Sequence, residues 1–506
     1  MNRIAPSAAA AAALFLAPLA AADVLVLKDG RIIDGPKMEQ KDGHVTVEFE
    51  AGAVEVKDAL VDILLQEGKE IAFVPQTDEE REKFEKGFVR FEGRWKKIRS
   101  AKKEIQKRVA SRVDEAREDV AHSEWMDRYQ VESSHFQWHF TTPRRTTQRY
   151  IDACDAYFEI FKKDWKIKRD KKKPKLAINF FADRGEFQQV SGAGGGTLAY
   201  FMFIGDYDLC AFYDRLDPEF TEQVLFHELG HYLHKLIDED FRYPHWPGES
   251  LCEYYGGASW DPDKKKLTVG QIQNGRLKTI QSDIERGEKI GLRKMITTRG
   301  FYDYTWGWSF VHFLMQDPKR AKQFKKFFLG LATDKSVKRE RSWSQNLKNV
   351  TGEEVLRYFM ECMKLEDEND LLKLEGEWYD YIENDLSFEG ENALVWEAKT
   401  ASSLGERDRA RKLYQTAYKR SPEAMPASAH FAYAQMLGSS MESRQHYRMA
   451  VDKAPLTPVY RWSLGEALEK SSKEGEKEEA ELHKAIALEL DPYVERDHGR
   501  IVITMD

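Results

Sequence analysis

Apolar and polar positions change period several times along the chain, and each change marks a predicted boundary. Residues 23–66 alternate with period two in VLVLKDG, RIIDG, HVTVEF and AVEVKDALVDILL, with Asp29-Gly30, Asp34-Gly35 and Asp42-Gly43 at the turns. That is the pattern of short strands in a small β-barrel or sheet. From Thr77 to about Gln130 the spacing turns helical and dense in Lys, Arg and Glu, with a hairpin-like interruption (GFVRFEGRWKKI) at 88–99. Such runs are solvated helices that link domains. A third region opens at His135. SHFQWHFTT alternates as a strand, TTQRYIDACDAYFEIFKKDW has the spacing of an amphipathic helix, and KLAINFFAD reads as a buried strand. DYDLCAFYD, 206–214, predicts one more strand. Asp217 as cap, Pro218 in the first turn and the apolar positions Val224, Leu225 and Leu229 then predict a helix. A second helix enters through Pro247 and Gly248, and YDYTWGWSFVHFLMQDP at 302–318 predicts a third. Thr351 and Glu354 start a further helix with a capping box, and LLKLEGEWYDYIEND closes the region near Asp385. The fold class is α+β.

The last hundred residues repeat. Gly405, Ala410, Tyr414, Ala417 and Pro422 recur as Gly438, Ser443, Tyr447, Ala450 and Pro455, and again as Gly475, Ala480, Lys484, Ala487 and Pro492. The spacing 5-4-3-5 holds each time, and SSKEG delays the third unit by four residues. These positions resemble the small, aromatic and proline sites of tetratricopeptide repeats, helix pairs that bury a continuous core only when stacked. The resemblance implies a protein partner at a concave face or, with equal weight, a cap on the preceding domain.

Composition narrows the class. With 506 residues the chain holds about three domains. A net charge of −8 with both signs mixed gives no nucleic-acid or membrane-surface footprint. Cys154, Cys210, Cys252 and Cys362 show no metal-ligand spacing; disulfides and buried thiols are both open. MNRIAPSAAAAAALFLAPLAAAD has a short basic start, an alanine-rich apolar run and Ala20-Ala21-Ala22 as a cleavage site. It predicts a signal peptide over 1–22, too short to span a bilayer, and hence export to the periplasm or the extracellular space.

The candidate chemistry lies in HELGH, which is His227, Glu228 and His231. Four apart on a helix, both imidazoles reach one ion while Glu228 points to the same side. A catalytic zinc also needs a third protein ligand and an open position. The metzincin pattern fails, because position 234 is His and position 237 is Ile. Glu249, eighteen residues after His231, shares a helix face with Glu253. One of these can bind zinc while the other holds the far nitrogen of a ligand histidine.

HExxH followed by Trp246, Glu249, Leu251, Glu253 and Tyr254 resembles the gluzincins, the thermolysin-like and aminopeptidase N-like zinc peptidases. More closely it resembles a group of secreted bacterial peptidase-like domains of unknown function in that clan. The resemblance implies a zincin-like catalytic domain, Glu249 as third ligand and Glu253 as the carboxylate behind a ligand histidine. Ser250 stands where the family commonly has Gly. Tyr304, in Y-x-x-G, is similar to the aminopeptidase tyrosine whose hydroxyl supports the oxyanion, with Tyr302 and His312 as fallbacks. The resemblance further implies that the 206–214 strand is an edge strand that pairs with substrate. His135 and His139 share one side of a strand, where packing is the commoner role of such a pair. SGAGGG at 191–196 is a flexible loop without the Lys-Ser/Thr of a phosphate loop.

Together these readings give a signal peptide (1–22), a small β domain (23–76), a charged helical linker (77–133), a gluzincin-like domain (134–385) and helical repeats (386–506). The function expected is that of an exported zinc metallopeptidase acting on peptides or proteins. Glu228 is the general base, Tyr304 the oxyanion donor, and His227, His231 and Glu249 the Zn2+ ligands. The G-x-M-E-N segment of aminopeptidases is absent, which favours endopeptidase action. Two other readings stay open: a scaffold acting through its repeats with a residual zinc site, against which the intact Glu228 argues, and a hydrolase of non-peptide amides or esters.

Overall fold

The computed structural model describes residues 23–491 and 494, apart from 28–30, 35, 67–71, 74, 76, 92–93, 168, 170–171, 204–206, 215–217, 262–263, 343–346, 387–392, 404 and 474. The segment 1–22, the turn at Asp29-Gly30, Gly35, the Asp217 cap and Pro492 lie outside the described residues. The architecture is mixed α+β, with small sheets and many helices. Among the described residues no helix is long and apolar enough to cross a membrane. All four cysteines are free and buried.

The chain divides into two compact units. The first joins residues up to Val113 with Tyr447–Glu495. Its strands form a four-stranded sheet in the order Ile32–Asp34, Val24–Leu27, Val61–Leu65, Ala72–Phe73, and a three-stranded meander of Lys37–Lys41, His44–Glu48 and Ala53–Lys57. Asp42 and Gly43 both take positive φ, 53° and 82°, as a two-residue hairpin turn needs, and they set Lys41 opposite His44. Alternate residues Val45, Val47, Val54 and Val56 are buried with Leu25, Leu27 and Met38. Leu456 and Ile486 from the far end of the sequence complete this cluster. Polar ties reinforce it: Arg31 donates to the Leu456 carbonyl at 2.7 Å, and Glu489 accepts from the backbone N–H groups of Glu50 and Ala51. The interruption at 88–99 is a hairpin, Phe88–Phe91 against Arg94–Lys97. Helix Asp78–Glu85 before it begins with a full capping box between Thr77 and Glu80.

The second unit, Asp114–His446, is organised on a five-stranded sheet. Its order is Tyr129–Glu132, Phe136–Phe140, Leu176–Phe181, Asp208–Phe212, Ala199–Met202. The three central strands run parallel and both outer strands antiparallel. The sheet therefore starts at Tyr129, inside the stretch whose charge pattern reads as linker. A larger correction concerns 206–214. Asp208–Phe212 is hydrogen-bonded on both sides, to Leu176–Phe181 and to Ala199–Met202, so it is an interior strand. Leu209, Cys210 and Ala211 are consecutively buried, and burial on both faces removes the alternation an edge strand would show. The edge on this side of the sheet is Ala199–Met202, shortly after the glycine-rich 191–196 segment.

Helices Arg144–Trp165, Pro218–Lys235, His245–Gly256, Tyr302–Gln316 and Pro318–Thr333 build one aromatic-rich core with this sheet, including Trp138, Phe180, Leu229, Trp246, Trp306 and Phe324. At Gly352–Met363 the Thr351 side chain caps the Glu354 N–H as expected. Glu354 itself turns instead to the Lys338 N–H and Arg357, so only half of the capping box forms.

From Ala393 the helices come in pairs: Ala393–Ser403 with Arg407–Arg420, Ala427–Met436 with Met441–Lys453, and Pro458–Glu469 with Glu476–Leu490. Gly405, Gly438 and Gly475 stand between the partners with φ of 78°, 64° and 85°, which only glycine adopts at no steric cost. Ala410, Ser443 and Ala480 are buried where partner helices meet.

Candidate metal centre

Helix Pro218–Lys235 packs through Leu225, Phe226, Leu229, Tyr232 and Leu233, all buried. Tyr232 meets Phe136 of the sheet edge to face, at 6.4 Å between ring centres. From Leu225 to Lys235 the positions left less buried are His227, Glu228 and His231, so packing turns these three side chains to one side. Helix His245–Gly256 lies against it, buried along almost its whole length.

The two helices bring the expected ligands together. Glu249 Oε2 is 3.3 Å from His227 Nε2 and 3.4 Å from His231 Nε2. One donor atom from each of the three residues falls within 4.8 Å of the other two. Zinc at 2.0–2.2 Å from nitrogen and oxygen ligands in tetrahedral geometry sets its ligand atoms about 3.3–3.5 Å apart. The two distances to Glu249 fall in that interval, and two imidazoles with one carboxylate are a donor set zinc accepts. The residues fit the ion.

Each ligand histidine is held from behind. His227 Nδ1 faces Glu253 Oε1 at 3.2 Å, and Glu253 is gripped by Arg276 through two hydrogen bonds of 3.0 and 2.9 Å. His231 Nδ1 faces the sulfur of Cys252 at 3.5 Å. Helix Tyr302–Gln316 places Tyr304 over His227, rings near parallel and 6.1 Å apart, with its phenol in the field of Glu249. Asp303, fully buried beside it, fixes His245 through Nδ1. The other ring nitrogen of His245 comes within 4.0 Å of Glu249 Oε1. Asp303 Oδ1 finds no hydrogen-bond partner among the described residues.

The electrostatics demand positive charge here. Burial alone would raise the Glu249 carboxyl, but its hydrogen bonds to His227 and His231 outweigh that and hold it well below the usual range. Burial likewise works against charge on His227, and Glu249 and Glu253 overcome it and raise the imidazole. Glu228 adds to the same field. Burial first, then the nearby carboxylates, push the Tyr304 phenol up, so it keeps its proton.

His227, Glu228, His231, Glu249, Glu253 and Tyr304 thus meet in one place. The fallbacks do not. Tyr302 bonds to Thr298, and His312 spends both ring nitrogens on Tyr381 and the Gly270 carbonyl. His135 pairs with Glu159 and stacks on Phe158, while His139 contacts Asn179; neither joins a metal-ligating group among the described residues. Arg276, Cys252 and Asp303 have no signal in local spacing, since each acts on a partner in another element; His245 stands four residues before Glu249 on one helix, a spacing that could have marked it.

The chain matches no model of a known protein family, and a search of the curated proteins finds no significant match.

Proposed function

We propose that the chain is a zinc-dependent peptide hydrolase, acting as an endopeptidase, with His227, His231 and Glu249 as ligands. The observation that carries this reading is the convergence of those three donor atoms, each ligand histidine backed by a fixed partner and Glu228 alongside. Bound there, zinc would act as a Lewis acid, lowering the pKa of a coordinated water and polarising the substrate carbonyl.

The residues divide the remaining work. Glu228 takes the proton of the attacking water and passes it to the leaving amine. Tyr304, kept protonated, donates its O–H to the oxyanion as charge develops on the carbonyl oxygen. Glu253 and Arg276 keep the His227 ring from turning. The edge strand Ala199–Met202 offers backbone groups to an extended peptide, by strand addition, and Phe201 packs it on Tyr232 of the HELGH helix at 5.9 Å.

The test is metal analysis of the purified chain followed by digestion of an unbiased peptide library with and without chelator. Zinc bound near one per chain, with cleavage that the chelator abolishes, is the expected result. Zinc retained without cleavage of any peptide would favour the scaffold reading, and absence of bound metal would overturn the assignment.

A further inference from the structure

His227 is backed by a charged carboxylate, but His231 is backed by a thiol. The Cys252 sulfur lies 3.5 Å from His231 Nδ1, and 4.0 and 3.9 Å from Nδ1 and Nε2 of His234. Cys252 is wholly buried and His234 nearly so. Room for the sulfur exists because residue 230 is glycine: a Cβ there would stand 2.8 Å from it. The fourth residue of HELGH and a cysteine on the next helix therefore fit each other.

We propose that Cys252 is a positioning residue for His231, its sulfur accepting the Nδ1–H hydrogen bond while its own S–H turns to His234. This rests on the reading of His231 as a metal ligand. A neutral imidazole carries one proton, and a proton held on Nδ1 leaves the Nε2 lone pair facing Glu249. The reverse arrangement, with S–H donating to Nδ1, would put the proton on Nε2 and spoil the ligand. The contacts to His234 favour the first: both of its ring nitrogens lie within reach of the sulfur, so the S–H finds an acceptor there in either tautomer and the sulfur is left to accept from His231. A fourth carboxylate here would crowd Glu228, Glu249 and Glu253 with further negative charge, whereas a thiol orients the ring without adding any.

The test uses the full chain, stripped of metal and titrated with zinc against a chromophoric chelator. Loss of such an outer partner weakens metal binding by roughly 10–100-fold, and that is expected for Cys252→Ala. Cys252→Ser, whose hydroxyl can accept the same bond, should stay close to the parent. Cys252→Val fills the volume but accepts nothing, and should behave like Ala. Circular dichroism and thermal melts of the metal-free forms control for folding. Nitrogen-15 shifts of His231 in the metal-free protein should show the Nδ1–H tautomer in parent and Ser, and a mixture in Ala. Parent-like affinity in Ala and Val, or Ser as weak as Ala, would overturn the proposal. His231→Ala separates the two claims: if it too leaves zinc affinity unchanged, the metal assignment itself fails.

Discussion

Arg276 holds Glu253 by two parallel hydrogen bonds, Nε to Oε2 at 3.0 Å and Nη2 to Oε1 at 2.9 Å. The carboxylate facing His227 Nδ1 is therefore fixed in plane as well as in position. Replacing Arg276 with Met should weaken zinc binding about 10–100-fold, the usual effect of losing an outer partner. Glu253→Gln should do the same. The double variant should be little worse than either single one, because both changes release the same ring. Chelator competition on the three proteins measures this.

Glu228→Gln should separate binding from chemistry. The amide keeps the volume and cannot take a proton, so zinc content and melting temperature should match the parent. Peptide cleavage should fall by at least about 10²-fold, the lower end for general-base assistance. Tyr304→Phe should cost about 10²–10³ in kcat, the usual range for one oxyanion donor. Single-turnover cleavage of a library-derived peptide gives both values, and parent-like rates in Glu228→Gln would remove the proposed mechanism.

Gly307 and Ser250 should be coupled. A Cβ at 307 would collide with Ser250 Oγ, and the two helices that carry Glu249 and Tyr304 meet at this point. Gly307→Ala is expected to destabilise by about 1–3 kcal/mol through overpacking. Ser250→Gly removes the obstacle, at the loss of a 2.7 Å hydrogen bond to the Asp303 carbonyl. In the double variant part of the Gly307→Ala penalty should disappear, which urea unfolding of all four proteins would reveal as a positive coupling.

Acid should loosen the helix pairs at His446. Its Nδ1 lies 2.9 Å from that of His430, with the rings of Tyr418 and Tyr433 packed around it and Glu442 on its own helix. Burial holds its pKa below the ordinary 6.5, and the pull of Glu442 in the other direction is smaller. The unfolded chain therefore takes up a proton that the folded chain refuses. The stabilisation is full above about pH 6.5 and is lost as pH falls below it. In metal-free protein, the drop in unfolding free energy between about pH 7 and pH 5 should shrink in His446→Gln. An unchanged drop would show that other groups carry the acid sensitivity.

What was legible in the sequence follows from range. His227 and His231 stand four apart on one helix, as do Glu249 and Glu253, so local spacing sufficed to propose both faces. The three repeat glycines were legible because the turn between paired helices needs positive φ at one position, and glycine marks it. The Cys252–His231 and His245–Asp303 contacts join residues 21 and 58 positions apart, and no periodicity connects them. The true edge strand was hidden behind 191–196, where glycines read as a loop, while the neighbouring interior strand carried the more obvious apolar run. Tyr129–Glu132 was masked in a similar way, by helical charge spacing that continued to the start of the strand.

Leu25 and Ile486 share one apolar cluster although 461 positions separate them. During synthesis the strand of Leu25 emerges with an unfinished inner surface, and Leu456 and Ile486, which complete it, follow only after the whole second unit is made. Closing so long a loop adds only slowly to the entropy cost, so the finished unit need not be weak. Timing is affected more: every intervening residue must be made before the first hydrophobic face can be sealed. Until then the cluster of Val45, Val47 and Leu25 lacks two of its buried members, and a chain cut short before Leu456 never acquires them.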